Sequence, residues 1–161
     1  MKYRADIDGL RAIAIVTVLL DHLDVTGFTG GFVGVDVFFV ISGYLITTLI
    51  AEAQAKGTFS LAVFYERRMR RIFPALLVTL LATLAAGAAL MTPADFEDLG
   101  KSVGAAAISG ANFWFWSSSG YFAPDAERLA LLHTWSLAVE EQYYLLFPTL
   151  MIGLATAPRL P

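Results

Sequence analysis

Arg11 and His22 stand eleven residues apart on a stretch that is otherwise apolar, Leu10-Arg-Ala-Ile-Ala-Ile-Val-Thr-Val-Leu-Leu-Asp-His. A helix rising about 1.5 Å per residue holds them roughly 16 Å apart along its axis, about half a hydrocarbon core. An ionisable group at that depth costs at least ~2.5 kcal/mol and faces a protein interior or a wet cavity. Three roles fit the imidazole: an interfacial polar residue at the end of a span, a satisfied core histidine, or a general base. Asp21 and Asp24 lie beside it, and a nearby carboxylate can orient the ring. Arg11 is either a cytoplasmic anchor whose head reaches water or a cation inside a bundle. Asp36 lies near the outer end of the next helix, as His22 does, so the two can meet across the intervening turn.

Two further clusters carry charge. Arg67-Arg-Met-Arg-Arg contains two overlapping Arg-x-x-Arg pairs, Arg67/Arg70 and Arg68/Arg71. Arginines three apart share a helix face and can grip phosphate oxygens bidentately. The same cluster also suits a positive-inside stop. In His133-Thr-Trp-Ser-Leu-Ala-Val-Glu-Glu-Gln, Glu140, Glu141 and Gln142 open an apolar helix, with His133 and Ser136 one or two turns away. Adjacent carboxylates point about 100° apart, so both cannot face lipid. Ser136 with His133 lacks the strand-turn elbow of a serine nucleophile. No Gly-x-Gly-x-x-Gly or Walker loop is present, so side chains would have to hold any nucleotide.

Composition sets the frame for these clusters. The 161 residues are 57% hydrophobic and 16% charged, against about 25% charged in soluble domains. An integral membrane protein follows. A net charge of −3 argues against nucleic acid as a partner. With no cysteine, thiolate catalysis, Cys-ligated zinc and disulfides are excluded, and the two histidines lack metal-ligand spacing, so no metal site is expected. Asp6, Asp8 and the absence of a small-x-small site argue for a retained first helix over a cleaved signal peptide.

Apolar runs at Leu10–Leu23, Val33–Ala51, Ala75–Met91, Val103–Trp116 and Leu137–Leu154 predict an all-α bundle of about five membrane segments. Thr26–Gly31 is a tight turn. Ser60–Ile72 reads as one interfacial amphipathic helix, ringed by its arginines, with Pro74 opening the third span. Gly30, Gly31, Ser42 and Gly43 are small residues suited to close helix packing. Thr92–Lys101 and Ser117–His133 read as polar connections. Lys2, Arg4, Arg11 and the arginine cluster place the amino terminus and the 52–58 linker in the cytoplasm.

Four segments carry a family resemblance. They are Tyr-Arg-x-Asp-Ile-Asp-Gly-Leu-Arg-Ala, Gly-Gly-Phe-Val-Gly-Val-Asp-Val-Phe-Phe-Val-Ile-Ser-Gly-Tyr, Phe-Tyr-x-Arg-Arg-x-Arg-Arg-Ile-Phe-Pro and His-Thr-Trp-Ser-Leu-Ala-Val-Glu-Glu-Gln-Tyr-Tyr. In order and over nearly the whole chain, they resemble the acyltransferase-3 family of bacterial inner-membrane O-acyltransferases. The resemblance lays an Arg-x10-His motif on Arg11 and His22, and a Gly-Gly-x7-Phe motif on Gly30, Gly31 and Phe39. It lays Arg-x-x-Arg on Arg67/Arg70 or Arg68/Arg71, and the last segment on Trp135 to Gln142.

It implies acyl transfer, with acetyl-CoA as the donor substrate on the cytoplasmic side and no tightly bound cofactor. The acceptor would be a carbohydrate hydroxyl of the cell envelope: O-antigen, peptidoglycan or exopolysaccharide. His22 would be the base, Asp36 or Asp21 its orienter, Arg11 a cation inside the bundle, and the four arginines the donor's phosphate grip. Glu140 and Glu141 join the candidate catalytic set. Domains of this family are larger bundles, often followed by an SGNH-hydrolase-like domain. Residues 1–161 therefore read as the amino-terminal half of one, with the other half or such a domain as a partner. The residues alone also admit a non-enzymatic bundle, either a proton or ion relay through Arg11, His22, Asp36 and Glu140 or a fragment that pairs with a missing half.

Overall fold

The computed structural model describes residues 4–118 and 129–156, and every regular element among them is an α-helix. The chain forms two compact units, Met1–Phe59 and Ser60–Pro161.

The first unit is a pair of helices, α1 (Ala5–His22) and α2 (Val33–Ala55). Arg4 forks onto Asp6 just before α1, with Nε to Oδ1 at 2.9 Å and Nη2 to Oδ2 at 2.6 Å. Chiefly through this hydrogen bond, Arg4 holds the Asp6 carboxyl down at about 2. Both groups are exposed, so the pair defines the start of α1 and adds little stability.

α1 ends in a Schellman turn. Asp24 takes φ 51°, its N–H donates to the Asp21 carbonyl at 3.0 Å, and the Val25 N–H donates to Leu20 at 3.0 Å. Aspartate tolerates this left-handed conformation better than most residues. Where α2 enters, α1 lies so close that only glycine fits. A Cβ on Gly31 would meet the Thr17 carbonyl and sit 2.6 Å from Asp21 Cβ, and one on Gly34 would sit 2.8 Å from Val18 Cγ2.

The second unit contains α3 (Leu61–Leu90), α4 (Pro93–Ala107), α5 (Ala111–Ser118) and α6 (Thr134–Thr156). Its core joins Leu76 and Leu80 of α3, Leu99 and Ala106 of α4, Ala111 and Phe115 of α5, and Leu131 and Ala138. Ser60 and Thr92 cap α3 and α4, their hydroxyls accepting from Val63 N at 3.5 Å and Asp95 N at 3.3 Å, and Pro93 takes the first helical position of α4, where its missing N–H costs nothing.

Three expectations change here. The interfacial helix and the third span are one helix of 30 residues, with Pro74 inside it rather than at its start. Pro74 and Arg70 are both exposed, so the carbonyl that Pro74 deprives of a donor lies on an outward face and the helix continues. The acidic stretch from Thr92 is not a loop but the first turns of α4, started by its cap. The fourth apolar run, Val103–Trp116, is not a single segment. α4 stops in a second Schellman turn, with Ser109 at φ 56° and N–H donation from Ser109 to Ala106 at 3.1 Å and from Gly110 to Ala105 at 2.8 Å. Residues 119–128 of the Ser117–His133 connection lie outside the described residues.

Among the described residues, two helices, Val33–Ala55 and Leu61–Leu90, are long and apolar enough to cross a membrane. Large apolar side chains stand on open surface in both units, among them Ile13, Leu19, Val40, Val78 and Leu90, an outer face suited to hydrocarbon and not to water. Replacing Gly34 by valine should separate α1 from α2, because the added carbon meets the backbone of Ala14. The change should cost at least ~2 kcal/mol, and faster hydrogen exchange over residues 14–22 and 31–38 in detergent is the check. Wild-type protection would show that the close approach is dispensable.

Candidate functional site

In the first unit, Arg11 and His22 are eleven positions apart, which on a helix is about 20° beyond three full turns. They therefore share one stripe with Ala14 and Val18, and that stripe faces α2. The Arg11 guanidinium lies 5.1 Å from the Phe38 ring centroid, Gly34 packs on Ala14 and Val18, and Ala14 is buried. Arg11 Nη1 also lies 4.0 Å from Asp8 Oδ1. The cation is thus held against an aromatic face in the hairpin, and it does not contact His22.

His22 is the last residue of α1 and is exposed. Its Nδ1 lies 2.9 Å from the Val18 carbonyl oxygen. A carbonyl only accepts, so Nδ1 carries a proton, and in the neutral ring Nε2 holds the lone pair. Among the described residues Nε2 has no hydrogen-bond partner, and the ring presents a base outward. The ring is oriented by this backbone carbonyl, not by Asp21 or Asp36.

Asp21 is engaged elsewhere. Its Oδ1 accepts from the amides of Gly30 at 3.1 Å and Gly31 at 3.2 Å, tying the end of α1 to the start of α2. Gly30 reaches this position at φ 100°. Asp36 is exposed on the first turn of α2, about 200° around the helix from Gly34. It has no hydrogen-bond partner among the described residues, and the expected meeting with His22 across the turn does not occur. Arg11, His22 and Asp36 consequently make no direct contact with one another among the described residues. Of the remaining motif residues of α2, Phe39 is half-buried, Ser42 is buried, and the Gly43 carbonyl accepts from Thr47 Oγ1 at 2.7 Å.

In the second unit, the four arginines separate. Arg70 pairs with Glu66 at 2.7 Å on the exposed side, while Arg67 and Arg71 are exposed. Arg68 alone lines a cavity of about 790 Å³, together with Tyr65, Met69, Ser109, Glu141 and Tyr144 among others. Its guanidinium lies 5.6 Å from the Phe64 ring and 5.2 Å from the Tyr144 ring.

The two glutamates diverge as well. Glu141 accepts from the Ser109 hydroxyl in the cavity wall, and Glu140 accepts from the Tyr144 hydroxyl one turn on. Gln142 Nε2 donates to the Ser109 carbonyl at 2.7 Å and to Asn112 Oδ1 at 2.9 Å, while Asn112 Nδ2 donates back to Gln142 Oε1 at 3.2 Å. These bonds lock the α4–α5 turn onto α6. They also account for a serine in left-handed conformation at that turn, since both its hydroxyl and its carbonyl are held by α6. Tyr65 donates to the Leu145 carbonyl at 2.8 Å, one turn before Pro148 inside α6.

His133 and Ser136 form no nucleophile pair. His133 is exposed, and Ser136 Oγ donates to the His133 carbonyl at 3.0 Å. Trp135 packs on the core. Among the described residues no group of three His, Cys, Asp or Glu side chains is placed to hold a metal ion.

Sequence reasoning missed Ser109, Asn112, Tyr65 and Tyr144. The Ser-Gly pair at 109–110 inside an apolar run was the available signal for a break. Replacing Gln142 by leucine should leave the Ser109 carbonyl and the Asn112 side chain short of a donor. A loss of about 1–3 kcal/mol is expected, read as a lower thermal midpoint in detergent, and an unchanged midpoint would mark the junction as incidental.

A sequence model described as "Acyltransferase domain" matches residues 4–161. Similar proteins include "O-acetyltransferase OatA" of Staphylococcus aureus (strain NCTC 8325 / PS 47), 38% identical over 148 residues, covering 91% of this chain and 24% of that protein. Another is "Putative O-acetyltransferase SAS0844" of Staphylococcus aureus (strain MSSA476), 38% identical over 155 residues, covering 96% of this chain and 26% of that protein. The chain spans about a quarter of the length of these curated relatives. No solved structure matches it.

Proposed function

We propose that this chain, which belongs to the Acyltransferase domain family, is the amino-terminal part of a membrane O-acetyltransferase in a bacterial inner membrane. It would move an acetyl group from acetyl-CoA to a hydroxyl of a cell-envelope glycan, with the amino terminus in the cytoplasm. The observation that carries this reading is the His22 ring, whose Nδ1 is fixed on the Val18 carbonyl so that Nε2 is left as a base.

In the reaction, Nε2 takes the proton of the acceptor hydroxyl as its oxygen attacks the acyl carbon. The C–O bond of the ester forms, the thioester C–S bond breaks, and CoA leaves as the thiol once it regains a proton. Arg11 contributes a fixed positive charge three turns below the base. Arg68 would hold the donor's phosphates, since a guanidinium stacked on rings presents its N–H edge to oxyanions, with the exposed Arg71 three residues on. Arg70 is paired with Glu66 on the exposed side of α3.

The test uses membranes of cells expressing the gene that encodes this chain, supplied with radiolabelled acetyl-CoA. His22→Ala should lower kcat for glycan acetylation by about 100-fold or more, the usual contribution of a general base. A wild-type rate in that variant overturns the assignment. Arg68→Ala should raise the donor KM more than Arg70→Ala does. Equal, small effects would return the cluster to the positive-inside role.

A further inference from the structure

Arg68 is held against two aromatic rings. Its guanidinium lies over Phe64 and Tyr144. An aromatic face attracts the cation through its quadrupole and leaves the in-plane N–H edge as the hydrogen-bonding side of the group. Tyr144 is buried, and its hydroxyl donates to Glu140. That hydrogen bond has two effects on Arg68. It fixes the rotamer of the ring beneath the guanidinium, and it shifts electron density from the phenol O–H into the ring, which strengthens the attraction for the cation. Phe64 is itself buried one turn before Arg68 on α3, so packing holds the second ring as well.

From this arrangement we propose that Tyr144 and Glu140 are positioning residues for Arg68, with Glu140 acting through the Tyr144 hydroxyl to set the guanidinium at the cavity for the donor's phosphate groups. The proposal rests on the reading of Arg68 as a donor-binding residue. It gives Glu140 a role apart from proton transfer and separates it from Glu141, which is bound to Ser109 in the cavity wall. The carboxylate pair of α6 is thereby divided: Glu140 serves the arginine of α3, and Glu141 the turn between α4 and α5.

The experiment measures kcat and donor KM for acetyl-CoA in the same membranes, with CoA as competing ligand, for Arg68→Ala, Tyr144→Phe, Glu140→Gln and the double variant Tyr144→Phe/Glu140→Gln. Tyr144→Phe keeps the ring and its packing and removes only the hydroxyl. It should raise the donor KM and the CoA inhibition constant about 3- to 10-fold at near-constant kcat, within the range of a desolvated cation–π contact. Glu140→Gln should give the same split, and the double variant should be no worse than the poorer single one, since both changes break one chain of contacts. If Arg68→Ala raises the donor KM while Tyr144→Phe and Glu140→Gln leave it at the wild-type value, the positioning role is overturned and donor binding by Arg68 stands. A fall in kcat at constant KM in Glu140→Gln would place Glu140 in the chemistry and also overturn it. If Arg68→Ala leaves the donor KM unchanged, the underlying reading of Arg68 fails with it. Equal thermal midpoints across the set separate these outcomes from misfolding.

Discussion

In a chain this apolar, a polar group placed among hydrocarbon must find its partner inside the protein. Both units are organised around that constraint. Among the described residues no buried side-chain nitrogen or oxygen is left without a partner. The helical threonines meet it in the simplest way, turning their hydroxyls back to carbonyls one turn below, as Thr17 does to Ala14 and Thr79 to Ala75. Asp21 and Ser109 meet it where helices end, one at the close of α1 and the other at the turn between α4 and α5.

At the end of α1 the constraint acts through Asp21. Its carboxylate draws two glycine amides onto one oxygen, which fixes how α2 leaves the turn and lets Gly31 and Gly34 close onto α1. His22, the next residue, is then held by a carbonyl of its own helix and needs no carboxylate to set its tautomer. A backbone acceptor orients an imidazole without a charged partner, so His22 and the structural acid Asp21 occupy adjacent positions with separate partners. At the α4–α5 turn, a serine in a conformation unfavourable for a side chain is retained because α6 satisfies both its hydroxyl and its carbonyl.

Much of this was legible from residue types and spacing. The all-helical class, the turn at Thr26–Gly31, the close packing of Gly31 and the family follow from apolar patterning and from four ordered motifs, whereas Gly30 has open space around it and serves the turn through its positive φ. Helix boundaries were less legible. Pro74 was expected to begin a helix because an interior proline forfeits a hydrogen bond, yet its exposed position makes that loss tolerable. The run from Val103 to Trp116 carries no strong breaker except Ser109-Gly110, and apolar patterning alone does not register a single left-handed residue. The pairing of His22 with Asp36 rested on proximity in sequence to one turn, and the angular position of Asp36 on α2 removes it.

The sequence by itself determined which groups were available: one imidazole and one guanidinium on a common helical stripe, four arginines within five residues, and two adjacent carboxylates. Spacing along one helix is a local property, fixed by its 3.6-residue turn. Only the tertiary structure decided which arginine faces a cavity and which glutamate meets Ser109. Those choices depend on the rotation of each helix about its axis and on the residues that neighbouring helices bring within about 3 Å. Local sequence does not encode them, because they are set by how side chains from distant positions fill one shared volume.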